Sequence, residues 1–527
     1  MTNINPLADV ERRLWSAADN LRANSKLRSH EYSTPVLGLI FLSYADHRFQ
    51  EVMTRLGPTA DMDDVQAEGV LYLPEEARYS KLLDLPDGEN IGKAINTAMT
   101  AIESVNPDLA GALPKLYNRL DNELLGSLLK SFNFAEIAAG LEGDAFGRVF
   151  EFFLTEFARS EGQLGGEFFT PISLVKLMVE IMEPYSGKVY DPACGSGGMF
   201  VQSARFVTEH QRNPADVLSV YGQEKTAETM RLARMNMAVH GLTGDIKQGN
   251  TFYEDLHVSV KGDGVGKFDF ALANPPFNVK GVSRDRIQND PRLPYGLPTT
   301  DNANYLWLQF IASSLNEKGR AGVVMANSAS DARSGDALIR QKMIEAGIID
   351  VMLSTSSNLF YTVTLPATIW FMDKGKSGTA REDTVLFVDA RGIFTQVTRA
   401  LRELSAVQVE LVANIVRLYR GEKLEVVHGT QAALDALFPD GVYQDVLGLC
   451  KAATRAEIAV QGHSLNPGRY VGMAARGADG FVFAERLSEL NEELELLTAE
   501  AHELEVRIGE NIQALLGGVI VDERVLA

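Results

Sequence analysis

The sequence predicts an α/β protein: a seven-stranded, mainly parallel sheet wound on both faces, between an N-terminal helical region and a C-terminal coiled-coil helix. Three observations predict it. From about residue 165, short apolar runs alternate with amphipathic helical stretches, as strand–helix–strand units do. Before that point, apolar residues recur at helical spacing. Near the C-terminus, leucines fall alternately three and four apart. A chain of 527 residues has room for two or three domains. The changes of pattern divide it into 1–162, 163–400, 401–480 and 481–527.

In the first segment, residues 8–21, 35–53 and 144–160 carry the helical spacing, and Pro58, Pro74, Pro86 and Pro107 cut the rest into short pieces. No strong catalytic motif falls there, so it reads as a helical accessory domain. Seven strands are expected at 189–190, 219–222, 245–247, 268–273, 321–325, 348–353 and 367–372, with helices such as 174–182, 226–240 and 305–315 between several of them. The connection 279–302, with three prolines, is too long for a simple turn, and long loops in compact domains are usually functional. Residues 379–477 are mixed in pattern. Beyond Phe483, Leu487, Leu490, Leu494, Leu497, Ala501, Leu504 and Ile508 form a coiled-coil seam, with an acidic outer face that includes Glu492, Glu495 and Glu503. Either a partner's helices or the chain's own body would bury that seam.

The chemistry is expected where strands end, since ligands of open α/β sheets bind outside the carboxyl ends of the strands. After the first strand comes Asp191-Pro-Ala193-Cys-Gly195-Ser196-Gly197-Gly198, a glycine loop that opens a helix. Its glycines allow close backbone approach, and a helix N-terminus offers free N–H groups to an anion. Cys194 fits there as a small packing residue. The second strand ends in Glu224, whose carboxylate can accept both hydroxyls of a ribose. The third leads to Asn250, placed to hydrogen-bond an adenine ring. The fourth stops at Asn274-Pro275-Pro276-Phe277, where two prolines force the chain out of the sheet. A planar exocyclic amine is a poor nucleophile because its lone pair is delocalised. The Asn274 side-chain oxygen and the Pro275 carbonyl can hold its two N–H groups and favour a tetrahedral nitrogen. The Phe277 ring can stack on the base, worth about 1–3 kcal/mol. The competing reading of these four residues is a proline-rich turn closed by a core Phe.

Composition narrows the classes. No apolar run is long enough to span a bilayer, and residues 1–11 lack a signal-peptide pattern. Two cysteines, Cys194 and Cys450, provide neither a disulfide framework nor a metal quartet; no metal site is expected, and a reducing cytoplasm fits. A net charge of −20 excludes a chain that coats DNA unaided, because phosphate contacts need clustered Lys and Arg.

Taken together, these motifs resemble the modification (M) subunit of type I restriction–modification systems, a family of N6-adenine DNA methyltransferases. Asp191 to Gly198 is similar to the family's cofactor loop and Asn274 to Phe277 to its catalytic loop. Gly166-Glu167-Phe168-Phe169-Thr170-Pro171, followed by Ile172, resembles a short upstream motif that also contacts the cofactor. Two later segments, Leu359-Phe360-Tyr361 with Leu365-Pro366-Ala367, and Leu465 to Tyr470, resemble the family as well. The resemblance implies a Rossmann-like methyltransferase sheet, S-adenosylmethionine as cofactor, and double-stranded DNA whose target adenine is flipped out of the helix. It also implies a specificity (S) subunit bound by two M subunits, and a restriction (R) subunit in the full complex. Thr170 would reach the cofactor's carboxylate; Glu167 and Phe168 fit equally as cap and core residues. Asn250 departs from the expected Asp, although an amide oxygen still accepts from an adenine amine. Two other readings stand beside this one: a methyltransferase for an RNA base or protein amide, which Asn-Pro-Pro-aromatic loops also serve, and a non-catalytic scaffold.

Overall fold

The computed structural model describes residues 6–24, 32–86, 88–133, 145–161, 170–257, 266–298, 302–360, 366–398, 401–473 and 508. The chain divides into two compact units, Met1–Gly472 and Met473–Ala527, and every element named below lies in the first. Glu167, Phe168 and Phe169 fall outside the described residues, as does the expected coiled coil except for Ile508, which is helical and exposed.

The N-terminal region is helical: α1 (Pro6–Asn24), α2 (Ser33–Leu56), α3 (Ile91–Val105), α4 (Asn122–Ser131) and α5 (Ala145–Glu161), with short turns of helix between. Pro35 sits in the first turn of α2, where a missing N–H costs nothing. These helices share one core, which includes Phe41, Phe49, Ile95, Leu128, Phe150 and Phe153. Met235 and Val239 join it from a helix of the following domain, so the two pack directly.

All seven expected strands form: β1 (Gly187–Asp191), β2 (Leu218–Glu224), β3 (Gly244–Gln248), β4 (Phe268–Ala273), β5 (Leu315–Ala326), β6 (Ile349–Thr355) and β7 (Ala367–Asp373). The sheet nevertheless has nine strands rather than seven. The additions are β8 (Thr384–Ala390) and β11 (Cys450–Thr454), and the order is β11-β8-β6-β7-β5-β4-β1-β2-β3. The remaining two strands, β9 (Thr395–Thr398) and β10 (Leu401–Glu403), form a separate hairpin. The apolar run of β8 is fully paired but lies in a stretch of mixed pattern. The edge strand β11 is a short Cys-Lys-Ala-Ala-Thr segment that needs no strong apolar signal to pair with it. Pairing is parallel except where β7 inserts between β5 and β6 and where β11 joins β8.

Helices cover both faces: α6 (Ile172–Met182), α7 (Gly198–Glu209), α8 (Ala227–Val239), α9 (Asn304–Ser314), α10 (Gly335–Glu345) and α11 (Ala406–Arg420). Strand β7 displays the two layers. Ile369 and Phe371 pack with α6, α7 and α11, whereas Trp370 and Met372 pack with α9 and α10, because successive side chains of a strand point to opposite faces. The stretch expected as a C-terminal extension thus supplies both a covering helix and an edge strand. Arg417 of α11 ties that helix to α6: its buried guanidinium bonds Glu183 at 2.6 Å, Glu425 at 2.8 Å and Glu180 at 3.1 Å. Among the described residues no helix is long and apolar enough to cross a membrane.

Candidate active site

Parallel strands β1, β2, β3 and β4 end on the same edge of the sheet, and their following loops carry the residues singled out from the sequence. At the end of β1, Asp191 is buried and accepts the Ala193 N–H at 2.9 Å. Burial, with the neighbouring Glu224 charge adding to it, pushes its carboxyl up to about 8. The loop then turns through Gly195 and Gly197, whose φ of 53° and 79° are left-handed and suit glycine. An added Cβ at Gly195 would meet nothing within 4 Å, so the loop presents open backbone there. Ser196 is held by Asn236, which donates to its carbonyl at 2.9 Å. Gly198 begins α7, whose first amides lack intrahelical acceptors. The Cys194 thiol is buried, and burial pushes it well above its ordinary range, so it packs as a neutral group.

Glu224 is fixed from both sides. One carboxylate oxygen accepts the Gly195 N–H at 3.2 Å; the other accepts from the Thr226 N–H at 3.0 Å and its hydroxyl at 3.3 Å. A carboxylate has about four lone-pair positions; the Thr226 hydroxyl can give its one proton to Thr229 at 2.7 Å instead, and two positions then remain for a diol. Asn250 closes a turn by accepting the Phe252 N–H at 3.1 Å, leaving one lone pair of its side-chain oxygen. These residues fit a nucleoside-bearing cofactor: an open glycine ledge, a helix N-terminus, and an acceptor at the end of each of the next two strands.

Beside them, Asn274 donates its amide N–H to the Thr170 hydroxyl at 2.8 Å, joining the upstream motif to the candidate catalytic loop. Among the described residues its side-chain oxygen is buried without a hydrogen-bond partner. Pro171 stands at the cap position of α6 and Ile172 is its first residue. Pro275 is buried, Pro276 exposed and Phe277 half-buried, its ring edge-on to Phe360 at a centroid distance of 6.4 Å.

The structure adds residues that sequence reasoning missed. Asn278 has φ 54° and is clasped by Asn304, which accepts its N–H at 2.9 Å and donates to its side-chain oxygen at 3.0 Å. Asn302 donates to the same oxygen at 2.9 Å. A second chain of bonds runs under the glycine loop: Thr251 donates to the Pro192 carbonyl at 2.6 Å, and Arg292 donates to the Thr251 carbonyl at 2.9 Å. Asn278, Asn302 and Asn304, clustered at the two ends of the long connection, were the available signal. A cleft of about 1330 Å³ lies away from these loops, lined by Arg48 and Val70 of the helical region and by Val201 and Leu242 of the sheet domain.

Comparison with known proteins agrees with this geometry. Residues 141–478 match the N-6 DNA methylase family, and residues 10–132 match the HsdM N-terminal domain. The methylase subunit of the type I restriction enzyme MjaIX from Methanocaldococcus jannaschii is 34% identical, over 96% of this chain and 91% of its own. The corresponding HindI subunit from Haemophilus influenzae is 36% identical over 84% of this chain and 99% of its own. The crystal structure of a type I methyltransferase subunit from Streptococcus thermophilus shares the fold, with a TM-score of 0.71 at 21% identity, covering 88% of this chain and 99% of that one. The chain belongs to the N-6 DNA methylase family, as a methylase (M) subunit of the type I restriction–modification group.

Proposed function

We propose that this DNA methyltransferase transfers a methyl group from S-adenosylmethionine to adenine N6 in duplex DNA, as the modification subunit of a type I complex. The observation that carries the reading is the buried, unpartnered side-chain oxygen of Asn274, at the carboxyl edge of the sheet beside the glycine loop. A buried acceptor without a donor costs about 1–3 kcal/mol, and an N–H of an incoming amine would satisfy it. Thr170 holds the amide in that orientation. Asn274 and the Pro275 carbonyl would accept the two N–H groups of the amine, and Phe277 would stack on the flipped base. Flipping itself costs a few kcal/mol. Pro276 stiffens the loop so that these groups do not need to be ordered on binding.

Glu224 would hold the cofactor's ribose hydroxyls, Asn250 its adenine, and the loop of Asp191, Ala193, Gly195, Ser196, Gly197 and Gly198 the remainder, with Thr170 and the adjoining Glu167, Phe168, Phe169, Pro171 and Ile172 on its other side. When bound, the cofactor supplies an electrophilic methyl group on a sulfonium. Duplex DNA is preferred over an RNA base or a protein amide because the relatives that match nearly the whole chain are methylase subunits of type I restriction enzymes. With a net charge of −20, the chain would leave sequence reading to a specificity subunit. Two M subunits would bind one S subunit through the coiled-coil helix expected from the sequence at 481–527, and the R subunit would join the full complex.

The test is tritiated-methyl transfer to duplex DNA, with and without a co-expressed specificity subunit. Asn274→Ala should bind cofactor normally yet transfer no methyl group. Near-normal turnover by Asn274→Ala would return the loop to the status of a structural turn.

A further inference from the structure

The chain is strongly acidic, and its cations are commonly taken up by carboxylates: Arg320 by Glu422, Arg381 by Asp350 and Asp373, Arg417 by three glutamates. Directly after the candidate catalytic loop the pattern reverses. Lys280, Arg284 and Arg286 lie within seven residues, all exposed, and among the described residues none has a carboxylate partner. Of the acids in that stretch, Asp285 is exposed, whereas Asp290 is occupied by Arg292 through contacts of 2.7 and 3.0 Å.

These cations sit on a built platform. Val282 and Ile287 are buried in a small core with Phe252, Leu306, Trp307 and Phe310. The Arg286 guanidinium lies 3.7 Å above the Tyr253 ring, and the Tyr253 hydroxyl accepts the Ser283 N–H at 2.9 Å. Arg292, 7% exposed, bolts the same connection to Thr251 and through it to Pro192 of the glycine loop. The two ends of the connection meet, since the Ala303 N–H donates to the Val279 carbonyl at 3.0 Å. The Arg286 guanidinium, held this way, loses little freedom when an anion docks. Chain geometry keeps the Lys280 Cα within about 11 Å of the Phe277 Cα. That span is enough to take in the phosphates flanking a base held at Phe277, because one DNA strand carries a charge about every 3.4 Å along its axis.

We infer that Lys280, Arg284 and Arg286 grip the DNA backbone beside the flipped adenine, a phosphate clamp carried by this chain itself. The inference rests on duplex DNA being the substrate. It is tested on the complex of the full chain with its specificity subunit, using a short duplex containing the site that the complex methylates. Replacing all three residues by Ala should reduce the slope of log affinity against log salt by about 2.7, at about 0.9 per lost phosphate contact. Assembly and S-adenosylmethionine affinity should stay at wild-type values. Arg284→Ala alone, whose side chain has no partner in the described structure, should reduce the slope by about 0.9. An unchanged slope in either folded variant overturns the clamp while leaving the methyltransferase reading intact. A wild-type complex that methylates no duplex overturns both.

Discussion

Asn304→Ala tests whether the Asn-Pro-Pro-Phe loop is positioned from its C-terminal side. Asn304 is 2% exposed, accepts the Asn278 N–H at 2.9 Å and donates to the Asn278 side chain at 3.0 Å. Asn278 itself has φ 54°, a conformation that asparagine tolerates better than most residues but does not hold unaided. Each hydrogen bond contributes about 0.5–1.5 kcal/mol net, so the substitution removes about 1–3 kcal/mol from the loop's fixed geometry. At 1.4 kcal/mol per tenfold, the competent loop population falls about 5- to 150-fold. The surviving Asn302–Asn278 bond at 2.9 Å places the effect in the lower half of that range. The assay is methyl transfer by the assembled complex, alongside calorimetric titration of cofactor. The expected result is a kcat lower by about tenfold with the cofactor Kd unchanged, because Glu224 and Gly195 are untouched. Asn304→Asp, which keeps the acceptor for the Asn278 N–H, should fall between. A folded Asn304→Ala with wild-type kcat refutes the argument.

Phe277→Ala should weaken binding of DNA by about 1–3 kcal/mol, read as a higher KM for DNA with unaltered cofactor affinity; an unchanged KM removes the stacking role. Arg417→Met leaves Glu180, Glu183 and Glu425 facing one another around a buried position and should destabilise the fold by about 3–5 kcal/mol in denaturant titration. A loss within the range of an ordinary surface substitution would show that those carboxylates are otherwise satisfied. Asp191 sets a pH dependence. Its carboxyl is raised by burial to about 8, so the folded chain retains a proton that the unfolded chain releases. Stability should therefore fall as pH rises from the ordinary carboxylate range through about 8, by up to about 1.4 kcal/mol per pH unit. Asp191→Asn should flatten the curve of melting temperature against pH between those limits, and an equally steep curve in that variant would place the dependence elsewhere.

What the sequence determined by itself is local. The prolines of Asp-Pro and Asn-Pro-Pro and the glycine of Gln-Gly-Asn mark strand ends, because proline cannot donate to a ladder and Gly, Asn and Asp favour turns. Strand ends of parallel units share one edge, so Asp191, Glu224, Asn250 and Asn274 could be placed together before any coordinates existed. The apolar period also located α1, α2 and α5, whereas α3 and α4 lie in the stretch that the prolines divide and were not read from it. What the tertiary structure decided depends on partners distant in the chain. Thr170 bonds Asn274 across 104 positions, and Arg417 reaches Glu183 across 234. Strands β8 and β11 pair across a gap that holds a hairpin and two helices. Hydrophobic period reports which face of an element is buried and carries no record of its neighbour. The Asn278–Asn304 clasp exists because the two ends of the long connection meet, and the Arg292–Thr251–Pro192 chain because the loop after β3 reaches the loop after β1; only the tertiary fold brings those polar groups within 3 Å.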